Sequence, residues 1–106
     1  MTTVRESSIE SYFCDKARRA GMLTYKFTSP SNSGVPDRIL IHEGIVYFIE
    51  LKAPGKKPRK LQKETVRRMR THGARVYCIS NTLQVNRFLY EVLLSGFPKP
   101  EDYDPI

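Results

Sequence analysis

An otherwise apolar stretch, PDRILIHEGIVYFIELK at residues 36–52, carries Asp37, Glu50 and Lys52. Two runs rich in β-branched residues, Ile39–Ile41 and Ile45–Ile49, flank a His42-Glu43-Gly44 break. Apolar runs of strand length around a short polar segment with a glycine predict a β-hairpin. A charge buried in such a hairpin costs several kcal/mol unless something compensates it. With the turn near the middle, an antiparallel pair brings Asp37 and Glu50 roughly opposite each other. Two carboxylates so placed repel, and a divalent cation converts that repulsion into a binding site. Lys52, two positions beyond Glu50, leaves the same face of its strand ~6–7 Å away. Leu51 between them points to the core, which leaves its carbonyl near the site. Oxygen donors alone suit Mg²⁺ or Mn²⁺ rather than zinc. Such an ion would polarise a phosphoryl oxygen and lower the pKa of a water. Lys52 would orient that water or neutralise charge in a pentavalent transition state. Phosphodiester hydrolysis needs these parts.

The elements that must position these residues follow from periodicity. Residues 5–20 place Ile9, Tyr12, Phe13, Ala17 and Ala20 at helical spacing, and Gly21 is a natural stop. The segment 22–28 alternates Leu23, Tyr25 and Phe27 with Thr24 and Lys26, which predicts a strand burying the aromatic side. Residues 29–36, SPSNSGVP, are turn formers and read as a loop. The hairpin follows, ending near Leu51 or Ala53, then a second loop, PGKKP. From Arg59 to His72 a helix shows Leu61, Thr65, Val66 and Met69 on one face and basic residues on the other, with Gly73 ending it. Residues 74–79 form a short apolar strand. Ser80 or Asn81 caps a last helix to about Leu94, with Leu83, Phe88, Leu89, Val92 and Leu93 packing. The remaining tail, about 96–106, reads as irregular. The order α-β-β-β-α-β-α predicts a mixed sheet flanked by helices, with a parallel crossover from the Glu50 strand to the strand at 75–79.

Over the whole chain, 106 residues suffice for one domain, 1–106, with a modest core. No apolar run approaches the ~20 residues that span a bilayer, and the polar, acidic N-terminus has no signal-peptide core. A reducing, intracellular setting is expected. Cys14 and Cys78 lie within apolar patterns and read as buried thiols. Without CxxC or HxxxH spacing a zinc site is not expected, and His42 and His72 read as surface residues. The net charge is +7. Much of the excess lies in residues 52–70, KAPGKKPRKLQKETVRRMR, which contain a single glutamate. A basic stripe beside a concentrated acidic site points to nucleic acid.

At this point the residues resemble a known family. GVPDRILI…YFIELKAPG is similar to the PD-(D/E)XK nuclease superfamily, with Pro36-Asp37 as one half and Glu50-Leu51-Lys52 as the other. More closely it resembles the VRR-NUC branch in its minimal stand-alone form, typical of phages. The cues are Gly34-Val35-Pro36-Asp37-Arg38, the run Glu50–Gly55, and Leu61-Gln62 opening the following helix. The resemblance implies a restriction-endonuclease-like αβββαβ core, here with an extra C-terminal helix. It implies that Asp37, Glu50 and the Leu51 carbonyl bind Mg²⁺ or Mn²⁺ and that Lys52 is the catalytic lysine. Gln62 matches a glutamine placed beside the lysine, where it would hold Lys52 or a phosphate. An acid on the first helix completes the ligand set in this family. Glu6 and Glu10, one turn apart, both qualify, and Glu10 is preferred.

The resemblance to dimeric Holliday-junction resolvases implies a homodimer cutting branched DNA, a four-way junction or a flap. The place of action would be the cytoplasm of a bacterial host if the chain is phage-encoded. Arg38, Lys56, Lys57, Arg59, Lys60 and Lys63, with Ser29–Ser33 in the loop beside the site, would track the phosphate backbone. The rival class is a basic module that keeps the nuclease fold but binds nucleic acid without cleaving. Its mark, loss of an acidic ligand or the lysine, is missing here.

Overall fold

The computed structural model describes residues 4–32 and 34–103. Its elements are α1 (Glu6–Arg19), β1 (Leu23–Lys26), β2 (Arg38–His42), β3 (Ile45–Leu51), α2 (Lys60–Thr71), β4 (Arg75–Ile79) and α3 (Thr82–Leu94), then a 3₁₀ turn at Pro100–Asp102. The four strands form one sheet in the order β1-β2-β3-β4. The first three are antiparallel and β3 runs parallel to β4. This is the mixed α/β arrangement that the element order predicts.

The β2–β3 hairpin closes on Glu43 and Gly44, both at positive φ (51° and 78°). Two such residues make the turn whose twist matches that of the flanking strands. Gly21 and Gly73, at φ 78° and 89°, end α1 and α2 as expected. Asn81 caps α3 by accepting a hydrogen bond from the Gln84 N–H at 2.8 Å.

One face of the sheet carries the main core. Leu40, Tyr47, Ile49, Leu51, Tyr77 and Ile79 meet Ile9, Phe13 and Ala17 of α1 and Val85, Phe88 and Val92 of α3. Strand residues of opposite parity, Val76 and Cys78, are buried outside that cluster, under α2 with Val66. Both cysteines are buried.

Three expected burial patterns differ. On β1, Leu23 and Tyr25 are 55% and 58% exposed while Thr24 is buried. The core-forming helices lie on the Thr24 side. On the other face α2 packs against β4, leaving the aromatic row of β1 uncovered except where Phe27 meets Phe48 (centroids 5.5 Å apart). In α2, Leu61 is exposed and Gln62 buried, because Gln62 reaches a buried carboxylate. In α3, Leu83 and Leu93 are exposed and Val85 takes the inward position.

The tail is more ordered than its composition suggests. The Tyr47 hydroxyl donates to the Gly96 carbonyl at 2.7 Å, and that of Tyr77 to the Pro98 carbonyl at 2.8 Å. Tyr103 is buried against Tyr77 and Phe88, with its hydroxyl on Glu91. Buried tyrosines need a partner for their hydroxyls, and here they pin the tail down. The last three residues of the expected tail lie outside the described residues.

Candidate active site

The hairpin register pairs Arg38 with Ile49, and continuing it by one residue sets Asp37 opposite Glu50. The pairing is sealed by the Leu51 N–H, which donates to Asp37 Oδ2 at 2.9 Å. Asp37 therefore lies just before the first residue of β2, half-buried, and Glu50 is the penultimate residue of β3, 1% exposed. The parallel ladder continues past Leu51, with the Lys52 N–H donating to the Ile79 carbonyl at 3.0 Å. That bond fixes the backbone of the lysine whose Nζ lies 3.3 Å from Glu50 Oε2.

The same Glu50 oxygen accepts a 2.8 Å hydrogen bond from Gln62 Nε2. Gln62 Oε1 in turn accepts the Arg59 N–H, also at 2.8 Å, which satisfies a free donor at the start of α2. Gln62 thus ties the carboxylate to the helix that follows the basic loop. The other oxygen, Glu50 Oε1, is buried with no hydrogen-bond partner among the described residues. An unsatisfied buried carboxylate oxygen is costly, more so than a neutral group.

Burial pushes the Glu50 carboxyl up to about 7; Asp37 adds to the rise and Lys52 opposes it. Asp37 is also raised, first by burial, against the hydrogen bond from Leu51. Two carboxyls strained toward protonation, one with an orphaned oxygen, are chemically suited to a hard cation. Asp37 and Glu50 are the acids on this face able to hold one. No group of three or more His, Cys, Asp or Glu side chains is gathered into a cage among the described residues. Mg²⁺ commonly keeps several waters and takes only one or two carboxylates.

Asp37, Glu50, Leu51, Lys52 and Gln62 are brought together. The helix acids divide. One oxygen of Glu10 is engaged by Arg38 Nη1 at 3.2 Å. Glu6, exposed at the start of α1, has its carboxyl raised by partial burial and then by Asp37, with Lys52 acting the other way. Arg38 does not face solvent as a phosphate contact would. It is 8% exposed, bonded to Glu10 and donating from Nε to Thr24 Oγ1 at 3.3 Å. A hairpin residue of this parity points to the α1 side of the sheet, away from Asp37 and Glu50. Thr24, which hands its own hydroxyl proton to the Ile39 carbonyl at 2.9 Å, is a supporting residue that the alternation of β1 gave no reason to single out. Lys56, Lys57, Arg59 and Lys60 are exposed and Lys63 is half-buried, so all can meet a ligand. Of the loop serines, Ser33 lies outside the described residues.

Gly34 in the preceding loop is held by proximity to α2. A Cβ there would lie 2.4 Å from Thr65 Oγ1 and 3.0 Å from the Leu61 carbonyl. The glycine lets the loop that leads into Asp37 lie directly on the helix.

No protein-family model matches the chain. It is 44% identical over 63 residues to "Putative nuclease p44" of Acyrthosiphon pisum secondary endosymbiont phage 1, across 58% of this chain and 68% of that protein. A solved structure, a VRR_NUC domain, superposes with a TM-score of 0.73 and 24% identity, covering 87% of this chain and 97% of the other. The solved structure establishes the VRR_NUC fold and the phage relative the kinship: the chain belongs to the family of that phage protein.

Proposed function

We propose that the protein is a divalent-metal-dependent DNA endonuclease, selective for branched DNA and working as a homodimer inside the cell. The observation that carries the reading is the buried Glu50 carboxylate with an unpartnered oxygen, set opposite Asp37 and beside Lys52. Asp37, Glu50 and the Leu51 carbonyl are the donors for Mg²⁺ or Mn²⁺, with Glu6 or Glu10 at the edge of the set. When bound, the ion supplies charge that polarises a phosphodiester and makes water more acidic.

The protein's own groups do the rest. Gln62 and Lys52 both hold Glu50 Oε2, which leaves Oε1 as the free donor atom. Lys52 places a positive charge where a scissile phosphate would lie, to stabilise the pentavalent transition state and to orient the attacking water. The water attacks phosphorus in line with the departing oxygen. Lys56, Lys57, Arg59, Lys60 and Lys63 follow the backbone on either side. The family relative named as a nuclease supports this class. No helix among the described residues is long and apolar enough to cross a membrane.

The test is cleavage of labelled four-way junction, flap and linear duplex in Mg²⁺ and in Mn²⁺, comparing wild type with Lys52→Ala. Metal-dependent cutting that falls at least ~100-fold in the variant, with branched substrates preferred, is the expected result. Binding without cutting in either metal would sink the enzyme reading.

A further inference from the structure

A cavity of about 400 Å³ opens between the sheet and α2, lined by Phe27, Val35, Phe48, Met69 and Ala74 with Asn32, Thr65, Arg68 and His72. Its volume is that of a small-ligand site. A second cleft, about 200 Å³, adjoins it: Phe27, Asn32 and Val35 line both, and the second is also lined by Asp37. The apolar chamber is therefore neighboured by a more polar cleft that reaches the candidate catalytic carboxylate.

The lining decides what fits. Phe27 and Phe48 present two rings at a 5.5 Å centroid separation, tilted by 58°. The titratable lining residues, Arg68 and His72, are both of basic type and exposed, and none is acidic. Arg68 is paired to Glu64 at 3.4 Å in solvent, a contact weak enough to exchange for a phosphate. An aromatic, apolar interior with a cationic mouth matches one nucleotide taken out of a stack: the base goes in and its phosphate stays at the rim.

We propose that this cavity holds an unpaired nucleobase of the DNA substrate, next to the strand presented to Asp37. Resting on the nuclease reading for the identity of the ligand, the inference supplies a physical source of selectivity for branched DNA. Duplex keeps its bases stacked and paired and must lose both to fill the cavity. The single-stranded arm of a flap offers an unpaired base at little cost, whereas a fully paired four-way junction must open a pair at its branch point. Asn32 and Val35, in the loop held against α2 at Gly34, form one wall of the chamber.

The experiment is a binding scan in EDTA with a fluorescent flap DNA in which each nucleotide of the single-stranded arm is replaced, one at a time, by an abasic residue. The phosphates remain, so electrostatic binding is unchanged and only a base contact is read. Wild type is expected to lose about tenfold in affinity at one arm position, the size of one base–aromatic stack. Met69→Trp, which fills the half-buried mouth, and Phe48→Leu, which removes a ring but keeps an apolar floor, should each erase that dependence. Both should bind duplex within about twofold of wild type. Either variant that folds, as judged by its thermal melt, serves.

A flat scan overturns the inference. So does a Met69→Trp variant that keeps the abasic dependence but changes oligomeric state, which would assign the cavity to a contact between copies. Cleavage in Mn²⁺, measured separately, distinguishes the two readings. Cutting with a flat scan removes the base site and leaves the nuclease. Base dependence without cutting keeps the site and removes the nuclease.

Discussion

At the scale of single residues, Glu50 concentrates most of the tension. Its carboxyl rises from an ordinary 4.5 to about 7 on folding, so the unfolded chain releases this proton more readily than the folded one. The stabilising protonation is complete below pH 4.5 and is lost as pH rises to about 7; Asp37, also raised, acts in the same direction. Metal-free protein should therefore lose about 3 kcal/mol between pH 4.5 and 8, and thermal melts across that window would show it. Glu50→Gln should flatten the curve, and Mg²⁺ or Mn²⁺ at pH 8 should raise the melting temperature of wild type but not of the variant. A wild-type curve that stays level would remove Glu50 as the strained group. The two helix acids separate in the same assay. Glu10→Gln leaves the Arg38 guanidinium buried without its carboxylate and should cost about 2 kcal/mol without metal. Glu6→Gln should leave the metal-free melt within about 0.5 kcal/mol yet shrink the metal-induced shift, because it weakens the field at Asp37. Asp37, Glu50 and Lys52 were legible in the sequence because charges in a strand pattern are anomalies that call for compensation. Arg38 was misread because adjacency to Asp37 in sequence means opposite faces in a strand, and its partners Glu10 and Thr24 come from distant segments.

At the scale of elements, the hairpin was readable because one local signal fixes it: a turn needing positive φ at two consecutive residues also fixes the register. The orientation of β1 was not readable. Its alternation tells which residues share a face but not which face the helices cover, and here the more polar row, with Thr24, is inside. Gln62 looked like an ordinary polar residue of a first helical turn; its burial follows from a carboxylate that only the fold brings within reach. The loop before Asp37 depends on a second such contact. Gly34→Ala would drive a methyl group into Thr65 Oγ1 and the Leu61 carbonyl, and backbone cannot yield as a side chain tip does. The expected cost is about 1–3 kcal/mol in a denaturant titration. If the loop instead moves off α2, stability is partly spared and Asp37 is displaced, so metal-induced stabilisation should fall further than that cost accounts for. Gly34→Ala restored by Thr65→Ala would locate the conflict at the Thr65 hydroxyl. An unchanged variant would show that the loop has slack.

At the scale of the whole molecule, a net charge of +7 and a basic loop and helix on the side of Gln62 make electrostatics the first thing DNA meets. Each neutralised phosphate releases condensed counterions, so the logarithm of affinity falls linearly with the logarithm of salt, with a slope of about −0.9 per contact on duplex DNA. Lys56, Lys57 and Lys60 are exposed and make no ion pair among the described residues, so changing them should not disturb the fold. Replacing all three with glutamine should leave the melting temperature within a few degrees of wild type and make the salt slope shallower by up to about 2.7. The same variant should weaken binding to every DNA shape by a similar factor, since phosphate contacts position a strand without distinguishing its structure. If preference for a flap over duplex comes from the proposed base cavity, it should therefore survive the loss of these lysines. Titrations of flap and duplex at four salt concentrations would decide it. If the slope is unchanged, the loop and the start of α2 are not the DNA track. A flap preference that collapses with the lysines would make shape recognition electrostatic and place it in the basic stripe.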